Sequence, residues 1–223
     1  MSQWRQWFRG FLKGWIVSMA DGLGELDDAA RIQFERALAE VPGSEFRSFI
    51  VAWHDLADSR GVIASATAGL DMVDEPSEDG MGELKEWFSI LMENVSTLSE
   101  RSQRLLLSRC GAACAGNITP KFQEIWLATG ELKEFTAGLN EQLGEGTPIY
   151  SYVNERTVDV TYPKCFCPLV GFGLLDTPTL CACSEAWLKT NFEGALLRTT
   201  TVEKSGTVLD GEKVCSLRVS LAD

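Results

Sequence analysis

The residues in this chain best suited to chemistry are its seven cysteines, none of which precedes residue 110. They stand as Cys110 and Cys114, Cys165 and Cys167, Cys181 and Cys183, and finally Cys215. The two Cys-x-Cys pairs are separated by 14 residues, from Cys167 to Cys181. In an extended segment residues i and i+2 project to the same side, so both thiols of a pair can reach one ion. Two such pairs supply four thiolates, the complement of a tetrahedral zinc site or an iron–sulfur cluster. Ser184 is the expected N-cap of a helix after the second pair, where free backbone N–H groups favour thiolate over thiol. Cys110 and Cys114 fall four apart on a predicted helix and so share a face. Cys215 lies in the last predicted strand.

The count limits the arrangements, because two closed four-thiolate sites need more cysteines than the seven present. The expectation is a closed side made by Cys165, Cys167, Cys181 and Cys183. Cys110, Cys114 and Cys215 then form a functional side with one coordination position open to a ligand. All seven are therefore candidate metal ligands, for zinc or an iron–sulfur centre. The competing reading makes each a small buried hydrophobe, which leaves the paired spacing without a reason. His54, the only histidine, has no partner spacing and reads as structural or surface. A single histidine gives little basis for a Ser-His-Asp or Cys-His site. Gly171-Phe172-Gly173 matches neither a dinucleotide fingerprint nor a phosphate loop. Glu185 and Glu193 read as solvated or paired helix charges.

The elements that must position these residues follow from periodicity. Trp4, Trp7, Phe8, Phe11, Trp15 and Met19 recur at helical spacing, opposite Arg5, Arg9 and Lys13. This segment reads as a retained amphipathic helix, because its basic residues interrupt any signal-peptide core. It is expected to pack on its own domain or on a partner in a homodimer, rather than on a membrane. Helices follow at 26–41 and 44–61, then an acidic linker reaching Gly80. Helical spacing returns from Met81, with further helices through Cys110 and Cys114, at 120–128 and at 131–143. Beyond Leu143-Gly144-Glu145-Gly146 the pattern changes. A hairpin of two strands turns at Asn154-Glu155-Arg156, a helix spans 184–196, and two strands cover 199–203 and 214–221. The expected fold is α+β: an antiparallel sheet in strand–strand–helix–strand–strand order, packed with helices and preceded by a helical N-terminal region. The expected domains are residues 1–80 and a cysteine-containing α/β ligand-binding domain over 81–223.

Four motifs carry a resemblance: RCGAACAG at 109–116, KCFCPLV at 164–170, LCACSEAWLKTNFEGAL at 180–196 and GEKVCSLRV at 211–219. Together they resemble the 4-vinyl-reductase-type ligand-binding domains and aminothiazoline-carboxylate hydrolase-like proteins of bacteria and archaea. The resemblance covers about half the chain and implies helices and an antiparallel sheet enclosing a small-molecule pocket beside the cysteines. Residues 1–80 carry none of it.

Composition sets the remaining bounds. Hydrophobic residues make up 45% and charged residues 23%, as in an ordinary globular protein. A net charge of −12 repels phosphate backbones, so nucleic acid is not an expected partner. No apolar run reaches the roughly 20 residues needed to span a bilayer. The paired cysteines without an export signal point to the cytoplasm and to metal rather than disulfides. The expected function is a cytoplasmic, cysteine-ligated metal protein with a small-molecule pocket, of sensor or ligand-binding type. The alternatives are an enzyme, either hydrolase-like or iron–sulfur redox, and an interaction protein with a structural zinc.

Overall fold

The computed structural model describes residues 78–144 and 147–222, together with 11, 14, 15, 17–19, 21–29, 31 and 32 of the N-terminal segment. Most of the helix expected at 26–41, all of that at 44–61, most of the linker, and His54 lie outside the described residues. The elements are α1 (Glu78–Thr97), α2 (Glu100–Ala115), α3 (Thr119–Thr129), α4 (Leu132–Leu143), β1 (Ile149–Asn154) and β2 (Thr157–Tyr162). A short helix α5 (Pro168–Gly171), a 3-10 turn (Pro178–Cys181) and α6 (Ala182–Leu196) follow. β3 (Thr200–Gly206), a second 3-10 turn (Val208–Asp210) and β4 (Cys215–Leu221) complete the order. The fold is α+β, with strand–strand–helix–strand–strand order and one four-stranded antiparallel sheet arranged β1-β2-β4-β3. α1 opens at Glu78, inside the stretch expected to be linker. Among the described residues no helix is long and apolar enough to cross a membrane.

The chain divides into two compact units, residues 1–110 with 172–175, and residues 111–171 with 176–223. In the first, Trp15 and Met19 of the N-terminal aromatic stripe are buried, as is Leu23 beyond it, all at most 2% exposed, while Phe11 is half-buried. Trp15 packs on Phe88 of α1 at 5.5 Å between ring centroids. Arg109 pairs with Glu25 across the same unit. The Ser99 hydroxyl caps α2 by accepting the Ser102 N–H at 3.2 Å, the role its residue type favours.

In the second unit, alternation along the strands sends one face of the sheet inward. Val158, Val160 and Tyr162 of β2 are buried, as are Leu217, Val219 and Leu221 of β4. Helices α3, α4 and α6 cover that face through an aromatic cluster. Phe122 meets Phe135, Tyr150, Trp187 and Phe192 at 6.0 Å, all edge-on, the arrangement ring quadrupoles prefer. Polar clamps fix the helices to the strands. Asn140 of α4 donates to the Tyr150 carbonyl at 2.7 Å and accepts the Tyr150 N–H at 2.8 Å. Glu193 of α6 accepts the Thr200 N–H at 2.9 Å. The hairpin turns where expected, with Asn154 Oδ1 accepting the Arg156 N–H at 2.9 Å.

Phe192 is fully buried among three other rings, so Phe192→Ala removes contacts that the cluster cannot replace. It should destabilise the second unit by about 3–5 kcal/mol in urea denaturation. Leu127→Ala, at a side chain 84% exposed, should stay within about 0.5 kcal/mol of the parent.

Candidate functional site

Six of the seven cysteines lie in residues 111–171 and 176–223, and helix packing sets how they meet. Gly111 stands on α2 about one turn before Cys114. A Cβ at Gly111 would lie 2.2 Å from the Cys183 carbonyl oxygen and 2.9 Å from the Ala186 Cβ. Only glycine lets α2 and α6 come this close, and the approach brings Cys114 beside Cys183.

Cys114, Cys167 and Cys183 form one group. Burial, then the charges of Cys183 and Cys167, push the Cys114 thiol up to about 12. Burial and Cys183 push the Cys167 thiol up to about 12 as well, although the Leu169 and Val170 N–H groups bond its sulfur and oppose the rise. Those donors belong to α5, which Cys167 immediately precedes.

Cys165, Cys181 and Cys215 form the second group. Cys215 opens β4 opposite Tyr162, the last residue of β2, and its sulfur accepts the Val208 N–H at 3.3 Å. The Cys181 thiol donates to Thr207 Oγ1 at 3.4 Å, and that hydroxyl donates to Asp210 at 2.8 Å. Burial raises the Cys181 thiol, opposed by the Thr207 bond and the Lys204 ammonium, while Cys215 and Cys165 add to the rise. Burial also raises Cys165; the Cys167 N–H opposes it and Cys215 reinforces it. Cys165 adds a smaller rise at Cys167 in turn.

Of the two Cys-x-Cys pairs, Cys181–Cys183 departs from the extended geometry expected of it. Cys181 and Ala182 are helical, at φ −65°, ψ −14° and φ −60°, ψ −26°, rather than extended. Two residues along a helix turn the side chain by about 200°, so Cys181 and Cys183 point opposite ways. For the same reason Ser184 is not a cap: α6 opens at Ala182 and places Cys183 in its first turn. Cys110 belongs to the other compact unit, where it is fully buried and its thiol donates to the Trp15 carbonyl at 3.5 Å.

All seven cysteines stand outside disulfides. Among the described residues no three His, Cys, Asp or Glu side chains are grouped as the ligands of one ion. Thiols held this far above the ordinary range are poor nucleophiles at neutral pH; a thiophilic cation beside them would reverse that, as metals do to coordinating thiols.

Two further residues join the site. The hydroxyls of Tyr150 and Tyr162 are buried and have no hydrogen-bond partner among the described residues. Burial holds the Tyr162 phenol well above its usual value, and the neighbouring Tyr150 and Cys215 add to the rise. Sequence reading treated both only as strand residues. The available signal was a phenol, where phenylalanine would suffice, at inward positions. On the outer face of the sheet an open groove of about 300 Å³ runs past Asp159, Thr161, Glu203, Ser205, Ser216 and Arg218. Arg218 is already committed there to a two-pronged bond with Asp159, at 2.7 and 2.9 Å.

No family model matches the chain, and no curated protein matches it. Among solved structures it is similar to trafficking protein particle complex subunit 3 from Naegleria fowleri, covalently bound to palmitic acid. The identity is 11%, over 66% of this chain and 98% of that one, with a TM-score of 0.42. At those values the similarity carries no argument about fold or function.

Gly111→Ala should cost about 1–3 kcal/mol, because the new methyl meets backbone rather than a flexible side chain. It should also speed alkylation of Cys114 in the metal-free protein, read by peptide mass spectrometry. A pH test follows from the raised thiols. The folded metal-free protein holds these protons more tightly than the unfolded chain, whose thiols titrate near the ordinary 9.0. Their stabilising effect is therefore complete below pH ~9 and lost as pH rises toward ~12. Urea midpoints should fall over that window, and Cys114→Ser should fall less steeply than the parent.

Proposed function

We propose that residues 111–171 and 176–223 form a cytoplasmic, cysteine-ligated metal domain that binds a small molecule, as a sensor or ligand-binding module. What supports this reading is that thiols from four separate stretches of chain lie within electrostatic reach of one another, Cys114 with Cys167 and Cys183, and Cys165 and Cys181 with Cys215. Hydrophobic packing alone gives no reason for that convergence, since single buried cysteines scatter through cores. Cysteine thiolates are ligands for zinc and for iron–sulfur clusters alike. Binding one ion would require side-chain rotation that draws the sulfurs to roughly 2.3 Å from it.

The small-molecule part of the proposal rests on Tyr150 and Tyr162. Buried hydroxyls without partners are rare, and a bound molecule with a hydrogen-bond acceptor would complete them. The resemblance to 4-vinyl-reductase-type ligand-binding domains points the same way.

Metal and inorganic sulfide should be measured on the full chain after anaerobic purification. Iron with stoichiometric sulfide and a brown colour would support an iron–sulfur centre. Colourless protein with bound zinc would support a zinc centre. Protein that holds no metal, and takes up none when reduced and titrated with zinc, would overturn the reading.

A further inference from the structure

Two thiols of the second unit are tied by hydrogen bonds to the same dipeptide, Thr207-Val208. The Cys181 thiol donates to Thr207 Oγ1 at 3.4 Å, and the Cys215 sulfur accepts the Val208 N–H at 3.3 Å. We propose that Cys181 and Cys215 are a redox pair, which a small hydroperoxide converts to an intramolecular disulfide and a dithiol reductant restores. The proposal needs no bound ion and stands apart from the metal-binding reading above.

The backbone explains why these two residues meet. Antiparallel pairing of β3 with β4 sets Gly206 opposite Ser216. Thr207 is still extended, at φ −138° and ψ 161°, before the turn Val208–Asp210 begins. The next step of the register therefore sets Thr207 opposite Cys215. Residues opposite one another in an antiparallel pair share a face, with Cβ atoms about 4.5–5.5 Å apart. Thr207 is 1% exposed, so that face is the inner one, where Leu217, Val219 and Leu221 are also buried. From the other direction the 3-10 turn Pro178–Cys181 packs against the turn Val208–Asp210 and brings Cys181 to the Thr207 hydroxyl. Thr207 is itself held: its hydroxyl donates to Asp210 at 2.8 Å and accepts the Asp210 N–H at 3.2 Å. Each sulfur is thus located by a single hydrogen bond beside a fixed residue, and rotation of the two cysteine side chains exchanges those bonds for an S–S bond.

Exposure sets the order of events. Cys181 is 7% exposed, whereas Cys215 is only half-buried, so a hydroperoxide meets Cys215 first. The Cys215 sulfur attacks one oxygen of hydrogen peroxide and the O–O bond breaks. Cys215 becomes a sulfenic acid, and the second oxygen leaves as water with the thiol proton. The Cys181 sulfur then attacks the Cys215 sulfur, the S–O bond breaks, and the hydroxyl leaves as water with the Cys181 proton. Two thiols give up two hydrogens, and one hydrogen peroxide becomes two waters. The new bond joins the entrance of α6 to the first residue of β4 and takes the thiol proton away from Thr207.

The test treats the reduced, metal-free full chain with hydrogen peroxide, blocks the remaining thiols with N-ethylmaleimide, and maps non-reduced peptides by mass spectrometry. Fragment spectra must resolve Cys181 from Cys183. A cross-link between Cys181 and Cys215 is expected, two hydrogens lighter than the separate peptides and lost on treatment with dithiothreitol. Cys181→Ser should halt the reaction at Cys215, where dimedone captures the sulfenic acid. Cys215→Ser should leave Cys181 with neither cross-link nor dimedone adduct. A cross-link that joins other cysteines instead, oxidation of Cys215 in the parent without a cross-link, or no oxidation of either residue would overturn the proposal. Each of these outcomes leaves the metal-binding reading to the metal and sulfide analysis. Should either variant fail to fold, the parent's peptide map decides alone.

Discussion

Helix α6 is held in place by Phe192, a side chain with no exposed surface that meets Phe122, Phe135 and Tyr150. The second unit is built around that contact. Phe122 brings α3, Phe135 brings α4 and Tyr150 brings β1, so one ring joins three helices to the inner face of the sheet. Gly194, two residues on, lets α3 approach closely; a Cβ there would sit 2.5 Å from the Thr119 methyl. Thr119 then donates to the buried Asn191 at 2.8 Å, so the polar groups of this crossing are paired rather than stranded. With α6 fixed in this way, the direction of its first turn is fixed too, and with it the positions of Cys181 and Cys183.

The cysteine cluster is a consequence of that placement combined with a second constraint, the absence of a side chain at Gly111. Apolar burial dominates the energetics of the unit, and it carries the thiols into surroundings where ionisation is unfavourable. Every resolved shift among the cysteines is upward and has burial as its first cause. The fold therefore stores a set of groups that stay neutral alone and become strong ligands or nucleophiles only when a positive charge joins them. The two groups of thiols differ in what could provide that charge. Lys204 acts on Cys181 in one of them.

The inner face of the sheet changes character along its length. Val158, Val160, Leu217 and Val219 make an apolar surface under the helices, while Tyr162 and Cys215 face one another where β2 ends and β4 begins. Polar atoms inside a core are costly unless paired. Two phenol oxygens without partners among the described residues, beside a thiol, mark the place where this core departs from pure packing. That departure falls next to Cys215.

Much of the architecture was legible in the sequence because it depends on short-range periodicity. The alternation of Tyr150 and Tyr152, and of Val158, Val160 and Tyr162, specified a hairpin, and Asn154 specified its turn. Helical spacing and Ser99 specified α2 with its cap. The choice of cysteines as the residues of interest was also a sequence-level matter, since spacing and count are local facts. Which thiol meets which could not be read in this way. The Cys181–Cys183 pair looks the same whether its backbone is extended or helical, and those two conformations send the second thiol in nearly opposite directions. Pro178 starts a 3-10 turn that runs straight into α6, and this makes the pair helical. Cys110 and Cys114 share a helix face by spacing, yet tertiary packing gives one the Trp15 carbonyl and the other the thiols of Cys167 and Cys183. The sequence by itself determined the elements and the ligand-capable residues, because neighbouring residues dictate both. Only the tertiary structure decided their partners, because partnership depends on which helix can approach which, and here a missing Cβ at Gly111 sets that distance.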